Sequence, residues 1–171
     1  MTTVREFLEA LFPSDLDGAF IETRLIKPGC SIPSFHDSVD QLVSALPQNL
    51  AEQNGCNIYF GVHLRSRRDG TKDAIKTVRC LFVDLDAKDI SGGKAEALKR
   101  LKEFLLLPSV IVDSGHGYHA YWLFKEPEQI ANADDIQKIE SYLKALATAL
   151  GADLHAAEIA RILRMPGTFN V

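Results

Sequence analysis

Asp84 and Asp86 close the apolar run Cys80, Leu81, Phe82, Val83 at a spacing of i, i+2. In an extended strand alternate side chains share a face, which puts the two carboxylates on one side about 6.6 Å apart at Cα, with Val83 and Leu85 on the other. Carboxylates that close repel, and a divalent cation held between them relieves the repulsion. Alone, such a pair is equally a strand running out into a polar turn, but two further polar clusters follow. Ser114, Gly115, His116, Gly117, Tyr118 and His119 sit where the chain reverses between apolar runs. The two glycines there permit positive φ and close backbone approach, a shape that can cradle phosphate. His119 opens an alternating segment in which it shares a face with Tyr121 and Leu123, while Ala120 and Trp122 point away. The third cluster holds Arg161 and Arg164, adjacent on a helix if one forms and able to reach one polyphosphate together. Upstream of them Asp153 could complete a metal site or simply cap a helix.

Other chemistries fit these residues poorly. A serine nucleophile elbow needs Gly-x-Ser-x-Gly between strand and helix, whereas Ser114 lies between two strands. A rolling-circle nuclease wants histidines on alternate strand positions, and His116 and His119 are three apart. A haloacid-dehalogenase-type phosphatase also ends a strand in Asp-x-Asp but needs Thr or Val two residues on, where this chain has Lys88.

The elements that must position these groups follow from periodicity. Apolar residues at 4, 7, 8, 11 and 12 predict a helix ended by Pro13, and residues 20–26 alternate as a strand. Ser34 is the expected N-cap of a helix through Leu46, with Phe35, Val39, Leu42, Val43 and Leu46 facing inward. Residues 57–64 and 77–86 are expected as antiparallel neighbours, joined by a basic loop over 65–76 that turns at Asp69 and Gly70. That loop carries Arg65, Arg67, Arg68, Lys72 and Lys76, and a basic lining beside an acidic site suits a phosphate ligand. A helix over 94–107, with Leu105 among its inward residues, precedes strands at 109–113 and 118–124, joined by a hairpin over 114–117, and a helix over 134–150. The order β, α, β, β, α from residue 77 to 150 is most of a split βαβ, ferredoxin-like arrangement.

With 171 residues, 46% of them apolar and 25% charged, the chain is expected to be a single α+β domain over 1–171, an N-terminal module to about residue 55 preceding a site-bearing one over 56–170. Its net charge of −4 argues against duplex DNA held by bulk electrostatics. Cys30, Cys56 and Cys80 are too scattered for a disulfide framework or zinc knuckle. No apolar run has membrane-spanning length and no signal sequence is visible, so a cytoplasmic location is expected.

The order and spacing of the three clusters resemble the primase-polymerase domains of the archaeo-eukaryotic primase superfamily, especially those of plasmids and phages. The resemblance rests on Phe82 to Asp86, on Ser114 to Trp122, and on Arg161 to Asn170 with an upstream acid. It implies a ferredoxin-like (RRM-like) sheet module packed on an N-terminal αβ module, with the active site in the cleft between them. It further implies template-directed DNA primase or polymerase activity with two Mg²⁺ or Mn²⁺ ions on Asp84, Asp86 and a third acid. Asp153 is the favoured third ligand and Glu158 the alternative. His119, Ser114 and the turn at Gly115, His116 and Gly117 would grip a nucleoside triphosphate, and Arg161 or Arg164 would neutralise its charge. A single-stranded DNA template and a helicase domain or protein are the implied partners. The alternative reading is a replication-initiator DNA-binding domain with weak or no catalysis.

Overall fold

The described residues form two four-stranded antiparallel sheets, one ordered β2 (Cys30–His36), β1 (Ile21–Lys27), β3 (Asn57–Gly61), β8 (Ile162–Arg164) and the other β4 (Leu64–Arg65), β5 (Ile75–Asp86), β7 (Gly117–Gln129), β6 (Val110–Asp113). The structure, a computed structural model, describes residues 3–47 and 55–169. Helix α1 (Val4–Leu11) starts at a capping box in which Thr3 and Glu6 satisfy each other's backbone N–H, and it buries Phe7, Leu8 and Leu11. Strands β1 (Ile21–Lys27) and β2 (Cys30–His36) form a hairpin in register from Ile21 against His36 to Lys27 against Cys30. Gly29, at φ 76°, makes its turn.

That hairpin corrects the helix expected from Ser34. The cap is Ser38, whose hydroxyl accepts from Gln41 N–H, and α2 runs only Val39–Ala45. Phe35 matched the helical period but lies in β2, where Pro33 is tolerated because β2 is an edge strand. The expected pairing of residues 57–64 with 77–86 holds only at Leu64 against Thr77. β3 (Asn57–Gly61) pairs with β1 and with β8 (Ile162–Arg164), whereas the two-residue β4 (Leu64–Arg65) pairs with β5 (Ile75–Asp86). One apolar run thus crosses between sheets at Val62 and His63, a break that alternation does not register.

From β5 onward the expected β, α, β, β, α order holds: α3 (Gly93–Glu103), β6 (Val110–Asp113), β7 (Gly117–Gln129) and α4 (Ala133–Leu150). α3 is shorter than expected. Phe104 turns extended to pack edge-on against Trp122, and Pro108 disfavours helix at Leu107, so Leu105 is 93% exposed instead of inward. Phe7 joins the sheets, its ring edge-to-face with Phe60 of β3 at 5.5 Å and packed on Tyr121 of β7 at 5.4 Å. α3 and α4 pack on the second sheet. No helix among the described residues is long and apolar enough to cross a membrane.

Candidate active site

The register of β5 on β7 sets Asp84 opposite His119 and Asp86 opposite Gly117. Directly opposed residues share a face, so both carboxylates and the imidazole project from one side of the sheet end. A Cβ on Gly117 would lie 1.8 Å from the Leu85 carbonyl oxygen, so only glycine lets the turn approach β5 this closely. The hairpin closes through Ser114 N–H donating to Gly117 O at 3.1 Å, and Ala87 N–H donates to His116 O at 3.0 Å. Gly115 supplies the positive φ, 91°. From α3, Lys94 Nζ donates to Asp113 Oδ1 at 2.6 Å and to Gly115 O at 3.0 Å, bracing the turn from outside. The same ammonium holds the Asp113 carboxyl below the usual carboxylate range.

The arginines arrive from the other sheet. No helix carries them: Arg161 precedes β8 and Arg164 ends it, paired with Tyr59 of β3. A pocket of about 200 Å³ opens between Asp84, Asp86 and His119 on one side and Arg161, Arg164 and Tyr59 on the other. Ser114, His116 and Gly117 also line it. Gly115 and Asp153 do not: Asp153 Oδ1 accepts from His155 N–H at 2.8 Å as the cap of a short 3-10 turn. Tyr59 was missed by sequence reasoning, although alternation with buried Ile58 and Phe60 already pointed it outward. Its hydroxyl meets Arg164 Nη2 at 3.2 Å, and the guanidinium lies 5.2 Å from its ring centre.

The basic loop plays a different part from the one expected. Arg67 pairs with Asp69 and Asp73, Lys72 with Glu140 and Glu158, and Lys76 with Asp17, so none of these lines the pocket. Arg65 is wholly buried, ion-paired to Glu22 at 2.6 Å, and donates to Ala160 O at 3.1 Å beside Arg161. It braces the arginine segment from beneath.

His119 is 4% exposed and its Nε2 stands 3.6 Å from Asp84 Oδ1. Burial, helped by Arg164 and Arg161, drives its pKa below the ordinary value against the pull of Asp84, which leaves a neutral imidazole. His119 Nδ1 and Arg161 Nε are buried without hydrogen-bond partners among the described residues, in two side chains that also line the pocket. Asp86 already draws a cation: Lys88 Nζ sits 2.6 Å from its Oδ2 and lowers its pKa. Among the described residues no three His, Cys, Asp or Glu side chains form a ready-made cage. The donors that fit a hard divalent ion here are the two carboxylates, with Lys88 as the stand-in.

This two-sheet α+β fold is that of archaeo-eukaryotic primase domains. The domain of the cyanophage S-2L primase-polymerase superposes with a TM-score of 0.63 at 19% identity, covering 95% of this chain and 80% of that one. The catalytic domain of primase RepB′ in complex with initiator DNA superposes with a TM-score of 0.57 at 16% identity, covering 98% and 78%. Over residues 57–171 the sequence matches the RepB DNA-primase N-terminal domain, and the chain belongs to that family. A replication protein of Clostridium perfringens is 28% identical over 120 residues, and this chain spans 29% of its length.

Proposed function

We propose that the pocket carries out DNA-template-directed nucleotidyl transfer, as a DNA primase or DNA polymerase in replication of a plasmid or phage, on a single-stranded template and alongside a helicase. The observation that supports this most is the meeting of Asp84, Asp86 and His119 with Arg161 and Arg164 across one pocket. In the reaction the primer 3′-hydroxyl attacks the α-phosphorus of a nucleoside triphosphate, a new phosphodiester forms, and pyrophosphate leaves. The Ser114 hydroxyl and the neutral ring of His119 hold phosphate oxygens as donors, and Arg161 with Arg164 offsets the charge that grows on the leaving group. Asp84 and Asp86 would hold Mg²⁺ or Mn²⁺, two ions in the full scheme, which supply activation of the attacking hydroxyl and stabilisation of the leaving oxygen. Asp153, the cap of the turn at His155, and Glu158, 3.6 Å from Lys72, both stand outside the pocket lining, so either serves as a third ligand only if its segment moves toward Asp84 and Asp86.

Thermal unfolding with Mn²⁺ and a nucleoside triphosphate tests the binding half. Ligand at about 100 times its Kd adds about 2.7 kcal/mol, a Tm rise of about 5–10 °C for a chain of this size. Asp84→Ala should abolish both that rise and primer extension on a gel. Extension that survives Asp84→Ala refutes the proposal. Template binding with no incorporation under either metal favours the initiator reading.

A further inference from the structure

The outward face of the first sheet carries a row of side chains that runs on beyond the pocket. The registers set Pro33 opposite Arg24, Arg24 opposite Tyr59, and Tyr59 opposite Arg164. These residues therefore share a face, and Arg24 and Arg164 lie about 10 Å apart at the backbone with the phenol ring between them. Phe35, opposite Glu22, falls on the same face, is half-buried, and is not packed into the core. Phe20 continues the face by alternation, with the Arg68 guanidinium 5.3 Å from its ring centre. The four strands contain a single acid, Glu22, which is 0% exposed and tied to Arg65 at 2.6 Å and Arg24 at 2.5 Å. A sheet face of arginines interleaved with half-exposed aromatic rings, continuous with the pocket through Tyr59 and Arg164, matches what a single-stranded nucleic acid requires: cations for its phosphates and flat rings for its bases.

We propose that this Arg24, Tyr59, Arg164 stripe, flanked by Phe35, is a track for single-stranded nucleic acid that leads from the pocket toward the β2 edge. Its place in catalysis rests on the nucleotidyl-transfer reading, but its binding does not. The test is fluorescence anisotropy of a labelled oligothymidylate, with oligouridylate in parallel to separate DNA from RNA, measured across a salt series. Phe35→Ala should weaken binding about tenfold through lost stacking. Arg24→Gln should weaken it and lower the salt slope by about 0.7, one phosphate contact. Iodouracil-substituted oligonucleotide should photocrosslink to Phe35 or Tyr59 in the unaltered protein, which needs no variant to fold. Wild-type affinity and slope in both variants, or crosslinks confined to other elements, overturn the stripe. A wild-type chain that binds the oligonucleotide by this face yet gains no stability from triphosphate and Mn²⁺ overturns the nucleotidyl-transfer reading and supports the stripe.

Discussion

Gly117→Ala should damage this site more than any other single methyl group added to the turn. The new Cβ would lie 1.8 Å from Leu85 O, 2.9 Å from Leu85 C and 3.1 Å from Asp86 Cα, all backbone atoms that cannot rotate aside. The strands must separate by more than an ångström at the point where Asp86 faces Gly117. That parts the local ladder and the Ala87 N–H to His116 O bond, costing about 2–4 kcal/mol. It also moves His119 and the turn relative to Asp84 and Asp86, and displacement of about 1 Å between reacting groups costs about a hundredfold in rate. Gly115→Ala is the control, since its φ of 91° imposes backbone strain of about 1–2 kcal/mol while its Cβ meets nothing within 4 Å. Urea unfolding and single-nucleotide extension, measured on both variants, give the comparison. Equal losses in the two would show that close approach of the turn to β5 does not hold the site together.

Two further outcomes concern the frame around the site. His63 is 1% exposed, packs beside Phe82 and has its pKa depressed to about 3 by burial and by Arg65, so the unfolded chain takes up a proton that the folded one refuses. Its contribution is therefore intact above about pH 6.5 and is lost as pH falls below that, by about 2 kcal/mol at about pH 5. His63→Phe should flatten the acid limb of stability by about that amount in urea titrations at about pH 5 and about pH 7.5, and a limb parallel to wild type would refute it. Arg65→Met leaves the buried Glu22 carboxylate with Arg24 but without its Arg65 partner and releases the Ala160 carbonyl, for a loss of about 2–4 kcal/mol, much of which Glu22→Leu added to it should restore. A single variant as stable as wild type would remove Arg65 as the brace.

The second sheet, apart from the two-residue β4, was legible because each of its longer elements carries its own signal. Asp84 and Asp86 end a continuous apolar run, Ser114 to Gly117 is a turn by composition, and α4 has both caps, Asn132 and Gly151. The first sheet was not, because its information is long-range. Nothing local to Asn57–Gly61 says that it pairs with Ile21–Lys27 and not with β5. The period of Phe35, Val39 and Leu42 suits a helix as well as a hairpin followed by a helix. Tyr59 and Arg164 become neighbours only through the pairing of β3 with β8, 105 residues apart in sequence. The buried ion pair of Arg65 likewise overrode its apparent membership of a basic loop lining the site.

Dividing the site between two sheets also explains why its histidine can be neutral. A charged imidazolium 3.6 Å from Asp84 would satisfy that carboxylate as an internal salt bridge and leave less of it for a metal cation. Burial works against that charge, and so do the Arg164 and Arg161 guanidiniums delivered from β8 and its approach. The arginines placed to meet phosphate therefore reinforce burial in keeping His119 uncharged, which preserves its capacity as a neutral donor. Acid, base and imidazole act on one another across the gap between sheets, so the positions of β8 and of the β5 end cannot be varied independently without changing how strongly His119 is held neutral.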